Sequence, residues 1–473
     1  MGEAIALLDR LRQLCPPEAR GALDSAQLFL ESPLKIAVAG RVNTGKSTLV
    51  NALVGSLVAP TATQELTSVP TVYVFGSPPS ATAVMDDGGR AHLALSAAGP
   101  VLPSQLLART RMLEVQLQLA TLREATILDT PGLGSVSSDN SPRTNTVLLS
   151  AAEEQFDPDL VLYLVRDAFR PDDFDFIREF KSLDSLMGPS RRRIVAGVIS
   201  HADSYGGGAW QQVDPFVAAG AAASALVAGK DLAFVVPVSG LMAETARCGM
   251  LTEQFTTALA QLAPLSPEQL RFAGQVGAGA FSGEEIQALI ARVGQYGLLH
   301  GRTAATSSQQ LLQWLEYRSG MSTLEGHIMA GGVQRSYFRR IEMLRDWLMA
   351  QGRNNCWGPQ AGSIIEISYY SEDFHKLQEN AAYELLVDAD PGHELVQVLG
   401  DLLADAQRPE WLAPETIARE IRHYHGKVAE SGSGVVAQSY RVIAKSLEIM
   451  LNHARGADLE SKPFHSGNRG PLQ

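Results

Sequence analysis

Cysteine is scarce in this sequence, and its few copies are far apart. Cys15, Cys248 and Cys356 are the only cysteines in 473 residues, and none belongs to a CxxC pair. Their odd number and wide spacing exclude a disulfide framework and a cysteine-based zinc site. This usage fits a protein of the reducing cytoplasm, where thiols stay free.

Basic residues and long apolar runs are also in short supply. Lys and Arg number 39 against 51 Asp and Glu, which gives a formal net charge of −12. Broad nucleic-acid binding needs a basic surface, so we expect no nucleic-acid partner. The same charge weakens purely electrostatic docking on anionic lipid without excluding it. No apolar stretch reaches membrane-spanning length, and the acidic, amphipathic N-terminus does not resemble a signal peptide.

The pattern of apolar residues predicts an α/β domain followed by a helical one. Short apolar strands alternate with helices after residue 34, which is typical of a mostly parallel sheet covered on both faces, and extra strands make that sheet mixed. Later segments carry apolar residues at helical spacing. We therefore expect four parts: N-terminal helices in 1–33, an α/β domain in 34–250, an all-α domain in 251–460 and a disordered tail in 461–473.

The most informative motif lies at residues 34–48, LKIAVAGRVNTGKST. It contains a complete GxxxxGK[ST] phosphate-binding loop between a predicted strand and a predicted helix. Its backbone N–H groups can surround phosphates, Lys46 can reach the β- and γ-phosphate oxygens, and the Ser47 hydroxyl can ligate Mg²⁺. We therefore predict that a nucleoside triphosphate is bound by Gly40, Asn43, Thr44, Gly45, Lys46, Ser47 and Thr48.

A DTPG motif at 129–132 ends a later predicted strand. Asp129 can hold Mg²⁺ through a water molecule, and the Gly132 N–H can reach the γ-phosphate. Because this motif follows a phosphate-binding loop, it is a stronger signal than the four letters alone.

A polar, Thr-rich segment at 60–71 lies between these two motifs. A loop that senses the γ-phosphate belongs at this point of the chain. We expect Thr67 to supply a second Mg²⁺ ligand and to hold the attacking water, ahead of Thr63 and Thr61. An ordinary loop is the competing interpretation.

The ends of two further strands predict a guanine-reading site. Asp203, in SHAD at 200–203, can accept hydrogen bonds from the N1–H and amino group of guanine, which adenine does not offer. His201 replaces the lysine usual at this point and could stack on the base, while helix capping is the alternative role for Asp203. Ser239 and Gly240 are expected to bring a backbone amide to the base carbonyl. The order of the motifs favours GTP over ATP.

These motifs together resemble the bacterial dynamin-like GTPases, in particular the isoniazid-inducible type of actinobacteria. The matching stretches are AGRVNTGKSTLVNALVG, VAPTATQELTSVPT, DTPGLGS and VVPVSGLMAETAR. The resemblance implies an α/β P-loop GTPase head with a mixed, mostly parallel sheet, on an all-α neck and trunk against which the N-terminal helices pack. It also implies Mg²⁺-dependent GTP hydrolysis in membrane remodelling, membrane maintenance or cell division. The implied partners are a second head of the same chain or a paralogous protein, with peripheral contact at the inner face of the membrane.

The catalytic side chains depart from the family pattern. Leu133 follows the DTPG glycine, where Ras-like GTPases carry a catalytic Gln, and Val42 and Asn43 stand where larger dynamins place a Gln or Ser pair. Asn43 could do part of that work, and Arg41 is either a compensating charge or an ordinary surface arginine. We therefore expect slow basal turnover, with the catalytic contributions coming from Lys46, Thr67, Gly132 and Asn43.

Two other functions stay open from the sequence. A slow regulatory switch that binds a protein effector would fit the loss of catalytic side chains and the lack of a clear lipid anchor. A ribosome- or RNA-associated GTPase is a third reading, against which the acidic balance counts.

Residues 352–370 are predicted to be an irregular segment between helices. They mix turn formers with Trp357, Ile364, Ile365, Tyr369 and Tyr370. Ordinary packing at the ends of helices is favoured there over a membrane-inserting tip.

Overall fold

The computed structural model describes most of the chain. The described residues are 2–59, 69–96, 99–131, 158–182, 194–227, 232–353, 357–368, 372–404, 408, 411, 413–431 and 434–454. The chain divides into two compact units. The helical unit comprises Met1–Glu31, Met187–Arg191 and Tyr337–Gln473, and the sheet unit comprises Ser32–Leu186 and Arg192–Ser336. The expected tail, 461–473, lies outside the described residues.

In the described part of the sheet unit, ten strands form one sheet. They are β1 (Leu34–Gly40), β2 (Thr71–Phe75), β3 (Ser80–Met85), β4 (Arg90–Ser96), β5 (Gly99–Val101), β6 (Thr110–Leu117), β7 (Ala125–Asp129), β8 (Leu160–Val165), β9 (Ile194–Ile199) and β10 (Val235–Pro237). Their order is β10-β9-β8-β1-β7-β2-β6-β3-β4-β5. The first five strands in that order are parallel, β2 reverses direction beside β7, and β3, β4 and β5 add antiparallel pairs. The structure thus confirms the mixed, mostly parallel sheet.

Helices fill most of the remaining described chain. They are α1 (Gly2–Leu14), α2 (Pro17–Leu30), α3 (Lys46–Val54), α4 (Ser104–Leu107), α5 (Thr121–Glu124), α6 (Pro171–Ser182), α7 (Pro215–Val227), α8 (Gly240–Arg247), α9 (Glu253–Gln261), α10 (Pro267–Arg271), α11 (Ala273–Val276), α12 (Gly283–Gly301), α13 (Ser308–Arg318), α14 (Met321–His327), α15 (Gln334–Arg353), α16 (Pro359–Ser368), α17 (Glu372–Ala389), α18 (Glu394–Leu403), α19 (Pro414–Ser431) and α20 (Val435–Ala454). A 3₁₀ segment at Ala202–Gly207 precedes α7, and a π-helical turn at Ile328–Val333 precedes α15.

Both faces of the sheet are buried along its central parallel strands. Side chains of β1 alternate between the two faces, as the two-residue repeat of a strand requires, so that Ile36 and Val38 enter one core and Ala37 and Ala39 enter the other. Helices α3 and α14 contribute to the first core, and α6 and α7 contribute to the second. This double cover leaves the carboxyl ends of the parallel strands as the open edge where a ligand can bind.

The sheet unit runs to Ser336, whereas the expected boundary was 250. Met321, Leu324 and Ile328 are buried in the core of the sheet, so this helical segment is an integral part of it. Helices α9 to α13 pack with α8 around a further core that includes Met242 and Leu259. Burial of these helices against the sheet and against one another makes them part of the sheet unit. Helical spacing in the sequence shows that a helix has an apolar face, but not which neighbour covers that face.

The described helices of the helical unit pack around two cores. Leu8 and Leu23 of the N-terminal helices pack with Ile341 and Leu348 of α15. A second core, which includes Leu386 and Ile443, joins α17, α18, α19 and α20. Among the helices that the structure describes, none combines the length and apolarity needed to cross a bilayer.

The segment expected to be irregular, 352–370, contains the helix α16. Trp357 and Ile365 are 8% and 3% exposed and belong to the core of the N-terminal helices and α15. Their burial supports ordinary packing over a membrane-inserting tip. Tyr369 and Tyr370 lie outside the described part of the chain.

Candidate nucleotide-binding site

The phosphate-binding loop joins β1 to α3 in a conformation that its glycines permit. Gly40 has φ +143°, and a Cβ there would lie 2.5 Å from the Leu164 carbonyl oxygen. Gly45 has φ +81°, and a Cβ there would lie 3.2 Å from the ring of His201. Both positions therefore need a residue without a side chain. Asn43, between them, is exposed and adopts a left-handed φ of +62°.

Lys46, Ser47 and Asp129 meet at the start of α3. Lys46 Nζ donates a 2.9 Å hydrogen bond to the Arg41 carbonyl oxygen, and Thr44 Oγ1 donates to the same oxygen at 2.8 Å. Ser47 Oγ donates to Asp129 Oδ2 at 3.2 Å. The parallel pairing of β1 with β7 explains why Asp129, the first residue of the DTPG motif, lies beside the loop.

Burial shifts the pKa values of both charged groups toward their neutral forms. It lowers the pKa of Lys46, an effect that Asp129 opposes. It raises the pKa of Asp129 to about 6, against the influence of Lys46 and the Ser47 hydrogen bond. A cation beside Asp129 and a phosphate beside Lys46 would each stabilise the charged form.

The Ser47–Asp129 pair fits Mg²⁺ chemically. A hydroxyl and a carboxylate are the hard oxygen donors that this ion takes, with water and phosphate oxygens completing its shell. Within the described ranges, no group of three or more His, Cys, Asp or Glu side chains offers another metal site.

Arg41, in the same loop, is held by two acidic residues of α6. Its Nε atom donates to Asp173 at 2.9 Å, and its Nη2 atom donates to Asp172 at 3.0 Å. The Asp173 carboxylate is buried and also accepts from the Tyr163 hydroxyl at 2.6 Å. Arg41 therefore forms ion pairs within its own chain. Neither of its two expected roles, a compensating charge or an ordinary surface arginine, includes these pairs.

A cleft opens beside the loop at the ends of β9 and β10. Its cavity volume is about 150 Å³, and its lining includes Gly45, Thr48, Ser200, His201, Asp203 and Gly240. Residues that the sequence predicts to touch phosphate thus share this cleft with those predicted to read the base.

His201 and Asp203 occupy different positions in this cleft. The ring of His201 lies against Gly45, and its Nδ1 atom is 3.2 Å from Ser200 Oγ. Burial, with a smaller contribution from the charge of Arg166, lowers the pKa of His201, so the ring is neutral at pH 7. Asp203 lies in the 3₁₀ segment, and its carboxylate makes no hydrogen bond or ion pair within the described chain.

Ser239 does not have the free amide that the sequence predicts. Its N–H donates to the Ser319 carbonyl oxygen at 2.8 Å, and its hydroxyl caps α8 by accepting from the Met242 N–H. Ser239 is fully buried and does not line the cleft, whereas Gly240 does. The expectation is therefore corrected for Ser239, because its backbone N–H already donates within the chain. Gly240 remains the candidate for the backbone amide that meets the base carbonyl.

Several expected residues fall on undescribed chain. Thr67, its alternatives Thr63 and Thr61, and Gly132 all lie outside the described residues. The chain leading to this Thr-rich segment is nevertheless fixed: Asn51 Oδ1 accepts from Val58 N–H at 2.9 Å and from Ala59 N–H at 2.7 Å.

Two groups of polar residues beside the site have structural roles that the sequence does not reveal. Asn51 also donates to Glu244 Oε1 at 2.7 Å, so α3, α8 and the chain before the Thr-rich segment share one buried network. Asp173 is the second case. The sequence signal was a pair of acids in the first turn of α6, which also occurs in ordinary surface helices.

Comparisons with known proteins agree with the motifs. Residues 36–168 match the model of the dynamin family. Two curated relatives, the isoniazid-induced protein IniC of Mycobacterium tuberculosis strains CDC 1551 / Oshkosh and ATCC 25618 / H37Rv, are 35% identical over 243 residues. That match covers 49% of this chain and 47% of each relative, so the chain spans about half the length of the curated relatives it matches. The sequence matches confirm the resemblance to bacterial dynamin-like proteins of the isoniazid-inducible type.

Two solved chains of an oligomerised bacterial dynamin pair, which senses and tethers membranes over long range, are more distant. One is 14% identical with a TM-score of 0.36, and the other is 15% identical with a TM-score of 0.34. Each comparison covers 96% of this chain and 74% of the other.

Proposed function

We propose that this chain, whose residues 36–168 match the dynamin family, is a dynamin-like GTPase that hydrolyses GTP to GDP and phosphate. The observation that carries the proposal is one cleft lined both by Gly45 and Thr48 of the phosphate-binding loop and by Asp203. Ser47, next to Thr48 at the start of α3, donates a hydrogen bond to Asp129. Each group alone has an ordinary structural explanation. Their meeting at the carboxyl ends of parallel strands is what a nucleotide site requires.

The phosphate end of the cleft would stabilise negative charge. Lys46 exchanges its contact with the Arg41 carbonyl oxygen for the β- and γ-phosphate oxygens, and the loop N–H groups bind the remaining oxygens. Ser47 would ligate Mg²⁺ directly and Asp129 would hold it through water. The ion, when bound, neutralises charge on the β- and γ-phosphates. Thr67 and Gly132 are proposed to position the attacking water and the γ-phosphate.

The base end of the cleft would select guanine. Among the described residues, none forms a hydrogen bond or ion pair with the Asp203 carboxylate, which therefore suits two donors on the guanine edge. The neutral His201 ring would cover one face of the base, and the Gly240 N–H would meet its carbonyl. Adenine offers the wrong donor pattern and leaves the carboxylate unpaired, which costs binding energy.

Turnover is expected to be slow in an isolated chain. Arg41 is committed to Asp172 and Asp173, and the left-handed Asn43 is exposed. We propose that a second head, from the same chain or a paralogue, completes the site. Head pairing would then move the helical segments at a membrane during its remodelling, its maintenance or cell division, with the protein peripheral to the inner face.

A direct test measures Mg²⁺-dependent GTP binding and hydrolysis by the full chain and its Lys46→Ala variant. We expect Lys46→Ala to abolish both, because the Lys46 ammonium is the charge that the phosphate-binding loop would offer to the β- and γ-phosphates. Lys427→Ala is the matched control, since Lys427 pairs with Glu430 in the helical unit. An unchanged GTP affinity in Lys46→Ala would refute the assignment of the phosphate-binding loop.

A second variant addresses the water-positioning role. Thr67→Ala should retain GTP binding and lose hydrolysis, whereas Thr63→Ala and Thr61→Ala should retain both. Full turnover in Thr67→Ala would transfer the role to another residue.

A further inference from the structure

Helix α12 is broken at Gly294, directly opposite Asp203. Gly294 has φ 71° and ψ 174°, a region that only glycine occupies readily. A Cβ at this position would lie 2.7 Å from Asp203 Oδ2. The break therefore makes the space in which the Asp203 carboxylate lies.

Neighbouring side chains hold both sides of the break. Before it, Thr245 Oγ1 donates to the Arg292 carbonyl oxygen, and Arg292 Nη1 donates to the Met250 carbonyl oxygen at 3.0 Å. After it, Trp210 Nε1 donates to Gln295 Oε1 at 2.9 Å. The irregular backbone is thus fixed by packed and hydrogen-bonded groups.

The next residue in α12 adds a further anchor. Tyr296 OH donates to Asp214 Oδ2 at 2.8 Å, and Arg318 Nη2 donates to the same oxygen at 2.9 Å. The Arg318 guanidinium also lies over the rings of Phe216 and Tyr296, at 5.2 and 5.3 Å. This cluster ties α12 to the start of α7 and the end of α13.

We propose that Gly294 is a specificity-positioning residue, which sets the direction of the Asp203 carboxylate toward the base. The inference rests on the proposed function and deepens it. Within the described residues no hydrogen bond or ion pair orients that carboxylate, so packing against the α12 break orients it. A side chain at 294 displaces Oδ2, and guanine then loses its second hydrogen bond while adenine loses nothing.

The test measures equilibrium affinities of the full chain for GDP and ADP. Gly294→Ala should lower the preference for GDP over ADP about tenfold, toward the value for Asp203→Asn. Gly277→Ala is the matched control, because Gly277 has φ 81° and ψ 170° and a Cβ there would lie 2.6 Å from the Phe281 carbonyl oxygen. It imposes similar strain away from the cleft and should keep the wild-type preference.

A double-mutant cycle separates positioning from general damage. In an Asp203→Asn background, Gly294→Ala should change the GDP-to-ADP ratio no further. An equal change with and without Asp203 would overturn the proposal, as would a wild-type ratio in a folded Gly294→Ala protein. A wild-type chain without GDP preference would refute the proposed function, and the inference with it.

If Gly294→Ala does not fold, a milder variant tests the proposal instead. Trp210→Phe keeps an aromatic ring and removes the donor that holds Gln295 beside the break. We expect it to lower the GDP preference severalfold. An unchanged preference would then overturn the proposal.

Discussion

At the scale of single residues, the buried carboxylate of Asp173, which lies outside the phosphate-binding loop, anchors Arg41 of that loop. Asp173, 1% exposed, accepts from Arg41 Nε, from the Tyr163 hydroxyl and from the Arg170 N–H. Asp172 is its immediate neighbour and also pairs with Arg41, but its side chain is 79% exposed. Two adjacent aspartates that pair with the same arginine thus differ widely in exposure, since Asp173 is buried and Asp172 is exposed.

This difference predicts unequal effects of two adjacent substitutions. Asp173→Ala should lower the free energy of unfolding by about 3 kcal/mol, because it leaves the Tyr163 hydroxyl and the Arg41 guanidinium without their buried acceptor. Asp172→Ala should leave stability unchanged within error, because solvent replaces an exposed partner. Urea unfolding of both variants measures the effect, and equal losses would contradict the role given to Asp173.

At the scale of secondary-structure elements, the burial of a segment determines boundaries and helices that the spacing of apolar residues does not predict. The sequence predicts the strand β1 and the helix α3 correctly, because a strand, a glycine loop and a helix in succession form a local signal. The helical spacing of apolar residues in the later segments does not reveal the interruption at Gly320 between α13 and α14. It also misses α16, where Trp357 and Ile365 become buried only through residues distant in the chain.

Gly320 provides a stability test of the α13–α14 junction. It has φ +79°, and a Cβ there would lie 2.2 Å from the Pro237 carbonyl oxygen. Gly320→Ala should cost about 2–4 kcal/mol through steric clash and left-handed strain. Gly326→Ala in α14 meets no atom of the described residues within 4 Å and should stabilise the protein by about 0.5–1 kcal/mol. Thermal unfolding compares the two, and equal shifts would refute the junction's geometry.

The packing of α17 against α20 predicts a pH dependence in the helical unit. His375 is buried, and its Nε2 atom lies 3.0 Å from Ser446 Oγ. Burial lowers the pKa of His375 to about 4; a hydrogen bond involving the Val442 backbone opposes this. The facing charged groups are Lys376 and Glu379 on α17 and Lys445 and Glu448 on α20.

The sign of this dependence follows from the depressed pKa. Between pH 6.5 and about 4 the unfolded chain binds a proton on His375 that the folded chain does not, so stability falls as pH falls. The loss should reach about 3 kcal/mol at pH 4 relative to pH 7. His375→Gln, which can still bond Ser446, should remove this component. Urea unfolding at several pH values measures it, and parallel profiles for both proteins would contradict the burial of His375.

At the scale of the whole molecule, the sequence offers candidate residues for the chemistry of the site but does not reveal the residues that support them. Lys46, Ser47, Asp129 and Asp203 are recognisable because each stands at the end of a strand or in a fixed motif. Gly294 could not be recognised, because its proposed role depends on its position beside Asp203, which lies 91 positions earlier in the chain, and no local pattern encodes that proximity. The extension of the sheet unit to Ser336 escaped for the same reason.

The first measurement is the specific rate of GTP hydrolysis as a function of protein concentration, with and without anionic liposomes. If this chain is a dynamin-like GTPase whose site is completed by a second head, the rate per molecule rises with concentration or lipid, and Lys46→Ala abolishes it. A slow rate that stays flat under all conditions would contradict assembly-coupled hydrolysis and favour a regulatory switch.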